Sequence, residues 1–537
     1  MMNFTKEEFF VQGLENIQAA YAEFDGHMYA GMLPADNGDR INLQTMFWLF
    51  EPTTQEIPNS MILWLNGGPG CSSFNCGVMM EHSPVTQPLH AAGYCCLQPD
   101  PELHVNPHAW TKGTTVLYVE HPIGTGFSHG TYPSNETEAS ADLDAFLQNF
   151  LAVFDHLQEY DFFVMGESYA GMFVPSVARE IHLNNKKNKA GRIPIKLGGA
   201  ALGNGWIDGM IQGPATIDYS WWHGLIDQPT RDALHDIFQV CMSAPEKLSA
   251  PFHPYTVQDD CGIMWGILQA AGNPNAYDIT TWDPNVDQVT FTSEAFFNTP
   301  QVKELLHVLN PEHIWHGCQA GSGRRRQLAR QLYMDNDRPL SVVPYIAELL
   351  DADIPIVVYN GDRDMTTNMV GTELCLNGMK WKGTDNWMDA PRGLWKVNDY
   401  PAGWAKEYKS LQYVVVYNSG HMVPYNVPES AYDLLKRLLT KKSFIDDEAP
   451  VIRAPKSVSD HMSMSKHMTA TTTTTTMSLS ATALPKEMAN NVAGEGFTMM
   501  SLLVAVAIGM MLGALWGKRR GNQVGYHSIP NANQESL

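Results

Sequence analysis

The sequence is poor in charge, and in basic residues most of all. Charged residues make up 17% of the 537 residues, and 57 acidic residues outnumber 35 basic ones, for a formal net charge of -22. Such an acidic balance lacks the cationic surface that attracts nucleic acid phosphates, so nucleic acid is not the predicted partner. Apolar residues reach 44%, which is enough for the core of a large enzyme body with appendages.

Motifs for cofactors are absent as well. The glycine-rich loop Asn66–Gly70 lacks the Lys-Ser/Thr ending of a phosphate-binding loop. No cluster with metal-ligand spacing, nucleotide motif or internal repeat is found. We therefore predict neither a metal nor another cofactor.

The carboxyl-terminal part of the chain has two unusual segments. Residues 454–494 are rich in Ser, Thr, Met and Ala, and they contain too few large apolar groups for a core, which predicts a stalk. Residues 497–517 carry no charge and are long enough to span a bilayer as a single transmembrane helix. The basic run Lys518–Arg520 follows directly and predicts a cytosolic tail, residues 518–537.

This arrangement predicts a single-pass membrane protein of the secretory pathway (Golgi, endosome or vacuole/lysosome) with a lumenal body. Asn3 and Asn135 would then be glycosylation acceptors. The N-terminal sequence, MMNFTKEEFFVQGLENIQ, lacks a cationic segment followed by an apolar one, so it is not a signal peptide. Either a signal is missing, which we favour, or the span acts as a tail anchor with a cytosolic body. Gly509, Gly513 and Gly517 recur every fourth residue and predict a homodimer through this helix.

Short apolar runs that end in glycine-rich or polar turns alternate with helical patterns. These runs are Met61–Leu65, Thr115–Glu120, Asp161–Met165, Pro355–Tyr359 and Gln412–Tyr417. Continuous apolar strands between helices predict an α/β fold with a mostly parallel sheet covered on both faces. We assign hydrolase core to residues 25–210 and 339–442. The intervening residues 211–338, rich in Trp, Pro and His, are predicted to form a helical cap.

The segment Gly166–Gly171, GESYAG, lies between a predicted strand and a helix. It matches the nucleophile elbow G-x-S-x-G, with Ala170 in place of the last glycine. Such a turn would present the hydroxyl of Ser168 at the beginning of a helix. We therefore predict an α/β-hydrolase fold with Ser168 as its nucleophile.

A serine hydroxyl needs a base, which is usually a histidine oriented by a carboxylate. His421 follows the last predicted strand, and in this fold the partners come in the order Ser, Asp, His. Asp362 and Asp364 are both candidates for the acid, although Asp362 could instead bond to the backbone of its own turn. We favour Asp364.

An acyl-transfer reaction also needs two N–H donors for the oxyanion. The first is predicted to come from Tyr169, the residue after the nucleophile. The second is predicted to come from Gly68, because the paired glycines of Asn66–Gly70 allow close approach of the backbone.

Four sequence blocks resemble the signatures of the serine carboxypeptidases: WLNGGPGCSS (Trp64–Ser73), GESYAG (Gly166–Gly171), YNGDRD (Tyr359–Asp364) and GHMVP (Gly420–Pro424). The resemblance covers about residues 25 to 440. The stalk, span and tail are also similar to the membrane-anchored pheromone-processing carboxypeptidases.

The resemblance implies that Asn66, Glu81 and Glu167, supported by Trp64, bind the terminal carboxylate of the substrate. Two crowded carboxyls cannot both ionise easily, so one keeps a proton that it donates to this carboxylate. The segment Ser73–Glu81 is one residue longer than the family pattern, which leaves the position of Glu81 open.

The resemblance also implies a disulfide between Cys71 and Cys318. Cys241 and Cys261 could form a second disulfide in the cap. Where the family usually has a cysteine after the catalytic aspartate, this sequence has Thr367.

The predicted function is therefore release of C-terminal amino acids from peptides or proteins through an acyl-enzyme on Ser168. An acyltransferase with the same triad is the first alternative, since plant relatives of this family transfer acyl groups. The second is a membrane-anchored binding or protective protein with an idle triad.

Overall fold

The structure is a computed structural model that describes residues 4–86, 103–243, 261–281, 293–318 and 341–445. The predicted stalk, membrane span and cytosolic tail lie outside the described residues, as does Asn3. Within the described ranges, no helix combines the length and hydrophobicity needed to cross a membrane.

The described residues form the strands β1 (Gly26–Pro34), β2 (Gln44–Pro52), β3 (Ser60–Leu65), β4 (Val85–Thr86), β5 (His104–Val105), β6 (Thr115–Val119), β7 (Asp161–Glu167), β8 (Leu197–Gly203), β9 (Ile356–Gly361), β10 (Arg392–Val397), β11 (Tyr400–Tyr408) and β12 (Leu411–Val416). Ten of them form one central sheet, with the order β1-β2-β6-β3-β7-β8-β9-β12-β11-β10. From β6 to β12 neighbouring strands run parallel, and the outer strands on both sides are antiparallel. The predicted α/β fold with a mostly parallel sheet is confirmed. A separate two-stranded pair joins β4 and β5.

Helices cover the sheet and extend beyond it. They are α1 (Glu136–Val153), α2 (Ala170–Lys187), α3 (Gly209–Trp222), α4 (Gln228–Ser243), α5 (Ile263–Ala271), α6 (Pro300–Leu305), α7 (Val343–Asp351), α8 (Met369–Gly378), α9 (Thr384–Met388), α10 (Val423–Asn426) and α11 (Pro428–Thr440). A π-helix, Phe74–Glu81, follows β3.

The two faces of the sheet bury two hydrophobic clusters. Strand β3 is buried at every position, and its side chains alternate: Leu63 and Leu65 belong to one cluster, Ile62 and Trp64 to the other. This alternation follows from the period of two in a strand, and it explains why the strand reads as a continuous apolar run.

The described parts of the predicted cap region, residues 211–338, pack in two different ways. Helices α3, α4 and α5 share a hydrophobic cluster of their own. By contrast, Phe297 and Trp315 from residues 293–318 are buried in the cluster of Ile62 and Trp64. This segment therefore packs as part of the hydrolase core. The sequence of this segment has no strand pattern, so the packing of its apolar residues against the sheet could not be predicted from it.

Candidate active site

Ser168 lies in the sharp turn between β7 and α2, and its backbone has a left-handed φ of 66°. Such a φ is unfavourable for a residue other than glycine and persists only where the surroundings enforce it. Here Ser168 N donates to the carbonyl of Gly203 at 3.0 Å, and Trp206 N donates to the carbonyl of Ser168 at 2.9 Å. Ser168 is partly exposed, whereas Glu167 and Tyr169 on either side are buried.

The glycines of the elbow are required by close packing. A Cβ atom on Gly166 would lie 2.4 Å from the carbonyl oxygen of Leu65, and one on Gly171 would lie 2.5 Å from the nitrogen of Trp206. Ala170, which replaces the last glycine of the motif, is fully buried in the core. The elbow therefore packs tightly between β3 and the loop that follows β8.

His421 and Asp364 come together where two neighbouring strands end. Strands β9 and β12 pair in parallel as far as Gly361 and Val416, so the loops that follow them emerge side by side. Nδ1 of His421 lies 2.8 Å from Oδ2 of Asp364. Among the described residues, Nε2 of His421 is buried without a hydrogen-bond partner, so this nitrogen can accept a proton from a nucleophile.

Asp364 is buried among donors. It has no solvent exposure, and its carboxylate accepts from Asn204 Nδ2, Thr366 N, Thr367 N, Thr367 Oγ1 and His421 Nδ1. These donors compensate the charge that burial would otherwise penalise.

The other candidate acid, Asp362, has no hydrogen bond to the imidazole among the bonds of the described residues. Its Oδ1 accepts from the backbone nitrogen of Ser419 at 3.2 Å. Burial raises the pKa of Asp362. Asp362 therefore braces the loop that carries the histidine, while Asp364 contacts the histidine itself.

A loop between α5 and residue 281 is bonded to both of these loops. The carbonyl of Tyr277 accepts from His421 N at 2.7 Å, and the carbonyl of Ala276 accepts from Met365 N at 3.0 Å. The ring of Tyr277 lies 4.8 Å from the imidazole, centroid to centroid. Sequence reasoning missed Tyr277, because neither its spacing nor its neighbours mark it.

The glycine-rich loop after β3 lies against the elbow. A Cβ atom on Gly67 would be 2.3 Å from Tyr169 N and 2.8 Å from Ser168 Cβ. Gly68 has a φ of 110°, which residues other than glycine rarely adopt. The loop that carries Gly68 is therefore adjacent to Tyr169, the other residue predicted to donate to an oxyanion.

Asn66 connects Trp64 to Glu81. Its Oδ1 accepts from Trp64 Nε1 at 2.6 Å and from Gly77 N at 3.1 Å, while its Nδ2 donates to Glu81 Oε1 at 3.2 Å. Because the oxygen has two donors, the orientation of the amide is defined. The structure thus brings together Trp64, Asn66 and Glu81.

Glu81 and Glu167 form a pair of buried, interacting carboxyls. Each is 2% exposed, and the Oε2 atoms of both lack any donor among the described residues. Burial raises the pKa of Glu81 to about 7. Burial and the adjacent Glu81 raise the pKa of Glu167 well above its usual range. The pair therefore retains a proton at a pH where isolated carboxyls have lost theirs.

The extra residue between Ser73 and Glu81 is accommodated by the π-helix. Val78 N donates to the carbonyl of Ser73, and His82 N donates to the carbonyl of Gly77. These bonds span five residues instead of four, which absorbs one residue within a turn. Glu81 consequently reaches Asn66 despite the longer segment.

Two disulfides join the predicted cysteine candidates, Cys71 to Cys318 and Cys241 to Cys261. The first ties the glycine-rich loop to the segment 293–318. Among the described residues Cys76 and Cys375 are unpaired, and Cys95 and Cys96 lie outside the described residues. Asn135 caps α1, since its side chain accepts from Glu138 N.

A serine on a strained elbow, a histidine bonded to an aspartate and a parallel sheet beneath them define the α/β-hydrolase class. Within that class, the model of the serine carboxypeptidases (Peptidase_S10) matches residues 19–441. The chain therefore belongs to the serine carboxypeptidase family.

Individual relatives agree with this assignment. Serine carboxypeptidase-like 49 of Arabidopsis thaliana is 32% identical over 421 residues, covering 76% of each chain. Pheromone-processing carboxypeptidase KEX1 of Phaeosphaeria nodorum is 31% identical over 441 residues, covering 77% of this chain. The match spans 64% of the length of that fungal protein.

A solved structure shares the fold. The crystal structure of KEX1, a prohormone-processing carboxypeptidase from Saccharomyces cerevisiae, superposes with a TM-score of 0.68 at 24% identity. The superposition covers 84% of this chain and all of that one.

Proposed function

We propose that this protein is a serine-type carboxypeptidase that releases C-terminal amino acids from peptides or proteins. The observation that carries the proposal is the proton-holding pair Glu81 and Glu167 directly beside a nucleophile elbow. Glu167 immediately precedes Ser168, so a group held by the carboxyl pair would lie close to the nucleophile. A site of this kind recognises a free carboxylate one residue away from the bond that is cleaved.

The chemistry follows the order of a serine acyl transfer. Oγ of Ser168 attacks the last peptide carbonyl while Nε2 of His421 takes its proton. The negative charge on the carbonyl oxygen is stabilised by the N–H groups of Gly68 and Tyr169. His421 then gives the proton to the amide nitrogen, the C–N bond breaks and the C-terminal amino acid leaves. Water repeats the same steps on the acyl-enzyme and frees Ser168.

Recognition of the substrate carboxylate falls to Asn66, Glu81 and Glu167. Asn66 Nδ2 carries two N–H groups and uses one on Glu81, which leaves the other for the substrate. A protonated carboxyl of the pair donates the second hydrogen bond, so the carboxylate is bound without a cationic side chain. Trp64 contributes by fixing the Asn66 amide.

The experiment incubates the full chain with an N-blocked dipeptide and with the same dipeptide as its C-terminal amide. A carboxypeptidase releases free amino acid from the first substrate much faster than from the second. An acyltransferase yields more product when an alcohol or amine acceptor is added than by hydrolysis. An idle triad gives neither product and no covalent labelling of Ser168 by an organophosphate, and this outcome would overturn the proposal.

We further propose that the body is lumenal and anchored in a membrane of the secretory pathway by residues 497–517. The uncharged span and the basic run Lys518–Arg520 support this, and the two disulfides suit an oxidising compartment. Expression in cells followed by alkaline extraction tests it: the protein should stay in the membrane fraction. Chemical cross-linking of the wild type and Gly513→Ile tests the proposed homodimer, which the substitution should disrupt.

A further inference from the structure

The hydroxyl of Thr367 lies between the acid and the base of the proposed triad. Its Oγ1 is 2.7 Å from Asp364 Oδ2 and 3.1 Å from His421 Nδ1, while Nδ1 itself is 2.8 Å from the same carboxylate oxygen. The three groups thus form a closed triangle. Thr367 is 1% exposed, so solvent does not compete for these bonds.

The protons of this triangle have one consistent arrangement. An ionised Asp364 can only accept, so its contacts require a hydrogen on both Nδ1 and Oγ1. The threonine hydrogen therefore points at Asp364, and a lone pair of Oγ1 faces the Nδ1–H group. This N–H is shared between two acceptors, which leaves Nε2 as the basic nitrogen of a neutral imidazole.

The backbone holds the threonine in this position. Its own N–H donates to Asp364 Oδ2 at 3.3 Å, and its carbonyl accepts from Asn360 Nδ2 at 2.8 Å. The next residue, Asn368, caps α8 through Gly371 N. The hydroxyl is therefore presented by a braced turn, and it loses little freedom when it bonds to the triad.

We propose that Thr367 is a positioning residue, which fixes the tautomer and the orientation of His421 together with Asp364. The inference rests on the proposed triad of Ser168, Asp364 and His421. A cysteine, usual here in the family that the sequence resembles, would offer a weaker donor and acceptor.

The proposal predicts an effect on turnover and not on substrate binding. In the hydrogen bonds of the described residues, Oγ1 of Thr367 reaches only Asp364 and His421, and none of the carboxylate-binding groups. Thr367→Val keeps the shape of the side chain and removes the hydroxyl. Loss of a hydrogen bond to a charged group corresponds to a fall in kcat of about 10- to 100-fold, with KM for peptides within about twofold.

The test compares Thr367→Val and Thr367→Ser with the wild-type full chain. Thr372→Val serves as a matched control, because this buried threonine on α8 contacts Gln212 and lies outside the triad. The measurements are kcat and KM on a blocked dipeptide, the rate of organophosphate labelling of Ser168, the melting temperature, and the proton NMR resonance of His421 Nδ1–H. A positioning role predicts slower turnover and slower labelling in Thr367→Val, a shifted Nδ1–H resonance, and recovery in Thr367→Ser.

Two results would overturn the proposal. One is Thr367→Val turning over and labelling at the wild-type rate; the other is a change confined to KM, which would make Thr367 part of a substrate pocket. If Thr367→Val unfolds, Thr367→Cys takes its place, because a thiol is a weaker donor and acceptor than a hydroxyl. It should label more slowly than the wild type, and a wild-type labelling rate would overturn the proposal. Labelling does not need a peptide substrate, so it still tests Thr367 if the protein proves not to be a carboxypeptidase.

Discussion

The two halves of the proposed active site differ in the surroundings of their buried carboxyls. On the acid–base side, Asp364 is surrounded by donors from the backbone, Asn204, Thr367 and His421. On the recognition side, the Oε2 atoms of Glu81 and Glu167 have no donor among the described residues, and the charge of Glu81 adds to burial in raising the pKa of Glu167. One half therefore stabilises a negative charge beside a histidine, and the other stores a proton. Residues of the same chemical type perform different tasks because the number of donors around them differs.

The two halves are also supported differently. The recognition half lies on β3, the π-helix and β7, which are all packed in the sheet core. The acid–base half lies on loops after β9 and β12 that are bonded to the backbone of Ala276 and Tyr277. A substitution in the predicted cap should therefore disturb His421 and Asp364 more than the carboxyl pair.

The largest effect is expected from replacing Ser168, the proposed nucleophile. Ser168→Ala should lower kcat about a million-fold, since removing the nucleophile of a triad has this effect in serine hydrolases. It should still bind peptide, because Glu81, Glu167 and Asn66 are unchanged. Turnover and labelling by an organophosphate measure the first expectation, and peptide binding to the inactive variant measures the second. Residual activity near that of the wild type would show that another residue is the nucleophile.

The next effect tests the acid–base half alone. Asp364→Asn should lower kcat about 10⁴-fold, because an amide no longer holds the correct tautomer of His421. Asp362→Asn is the matched control, since this residue bonds to the loop backbone and does not contact the imidazole. Steady-state kinetics on a blocked dipeptide provide the comparison. A greater loss in Asp362→Asn than in Asp364→Asn would reverse the two assignments.

A smaller effect is expected on how the stability of the protein depends on pH, because desolvation raises the pKa of buried carboxyls. The pKa of Glu81 and that of the buried Glu120 are raised by desolvation from 4.5 to about 7. The folded state holds these protons more tightly than the unfolded chain does. Their stabilisation is therefore complete below pH 4.5 and is lost as the pH rises toward 7, by up to about 3 kcal/mol for each group.

Denaturant unfolding at a series of pH values measures this loss. The free energy of unfolding should fall between pH 4.5 and 7, and Glu81→Gln should show a smaller fall than the wild type. Glutamine cannot ionise, so it removes one titrating group, while Glu120 and Glu167, whose pKa values are also raised, continue to titrate. A free energy that rises with pH across this interval would contradict the raised pKa values.

The elements that the sequence predicted well are those with one dominant signal. The apolar runs at Met61, Thr115, Asp161, Pro355 and Gln412 all correspond to strands of the sheet. Ser168 and His421 lie beside strand ends, where motif and order placed them. The order of motifs along the chain was informative because parallel strands bring their carboxyl ends to the same edge.

The elements that were missed depend on packing at a distance. Strand β8, LGGAALG, has no β-branched residue, and its glycines fit beneath Phe163 and Tyr359, which only the folded sheet brings close. The start of helix α1 at Glu136 is fixed by the cap that Asn135 forms, which the apolar pattern of the helix does not show. The contact of Ala276 and Tyr277 with the catalytic loops has no local pattern, because it joins parts of the chain that are far apart in sequence.

The most direct test of the proposed function is KM measured against pH on a peptide and on the same peptide with its terminal carboxylate blocked. Above pH 7 or so, loss of the Glu81 proton places a negative charge against the substrate carboxylate. KM for the free peptide should therefore rise, with kcat changed less, while the blocked substrate shows no such rise. Glu167→Gln keeps a neutral donor at every pH and should flatten the curve. A wild-type KM that stays constant with pH, or that rises equally for both substrates, would contradict recognition by the carboxyl pair.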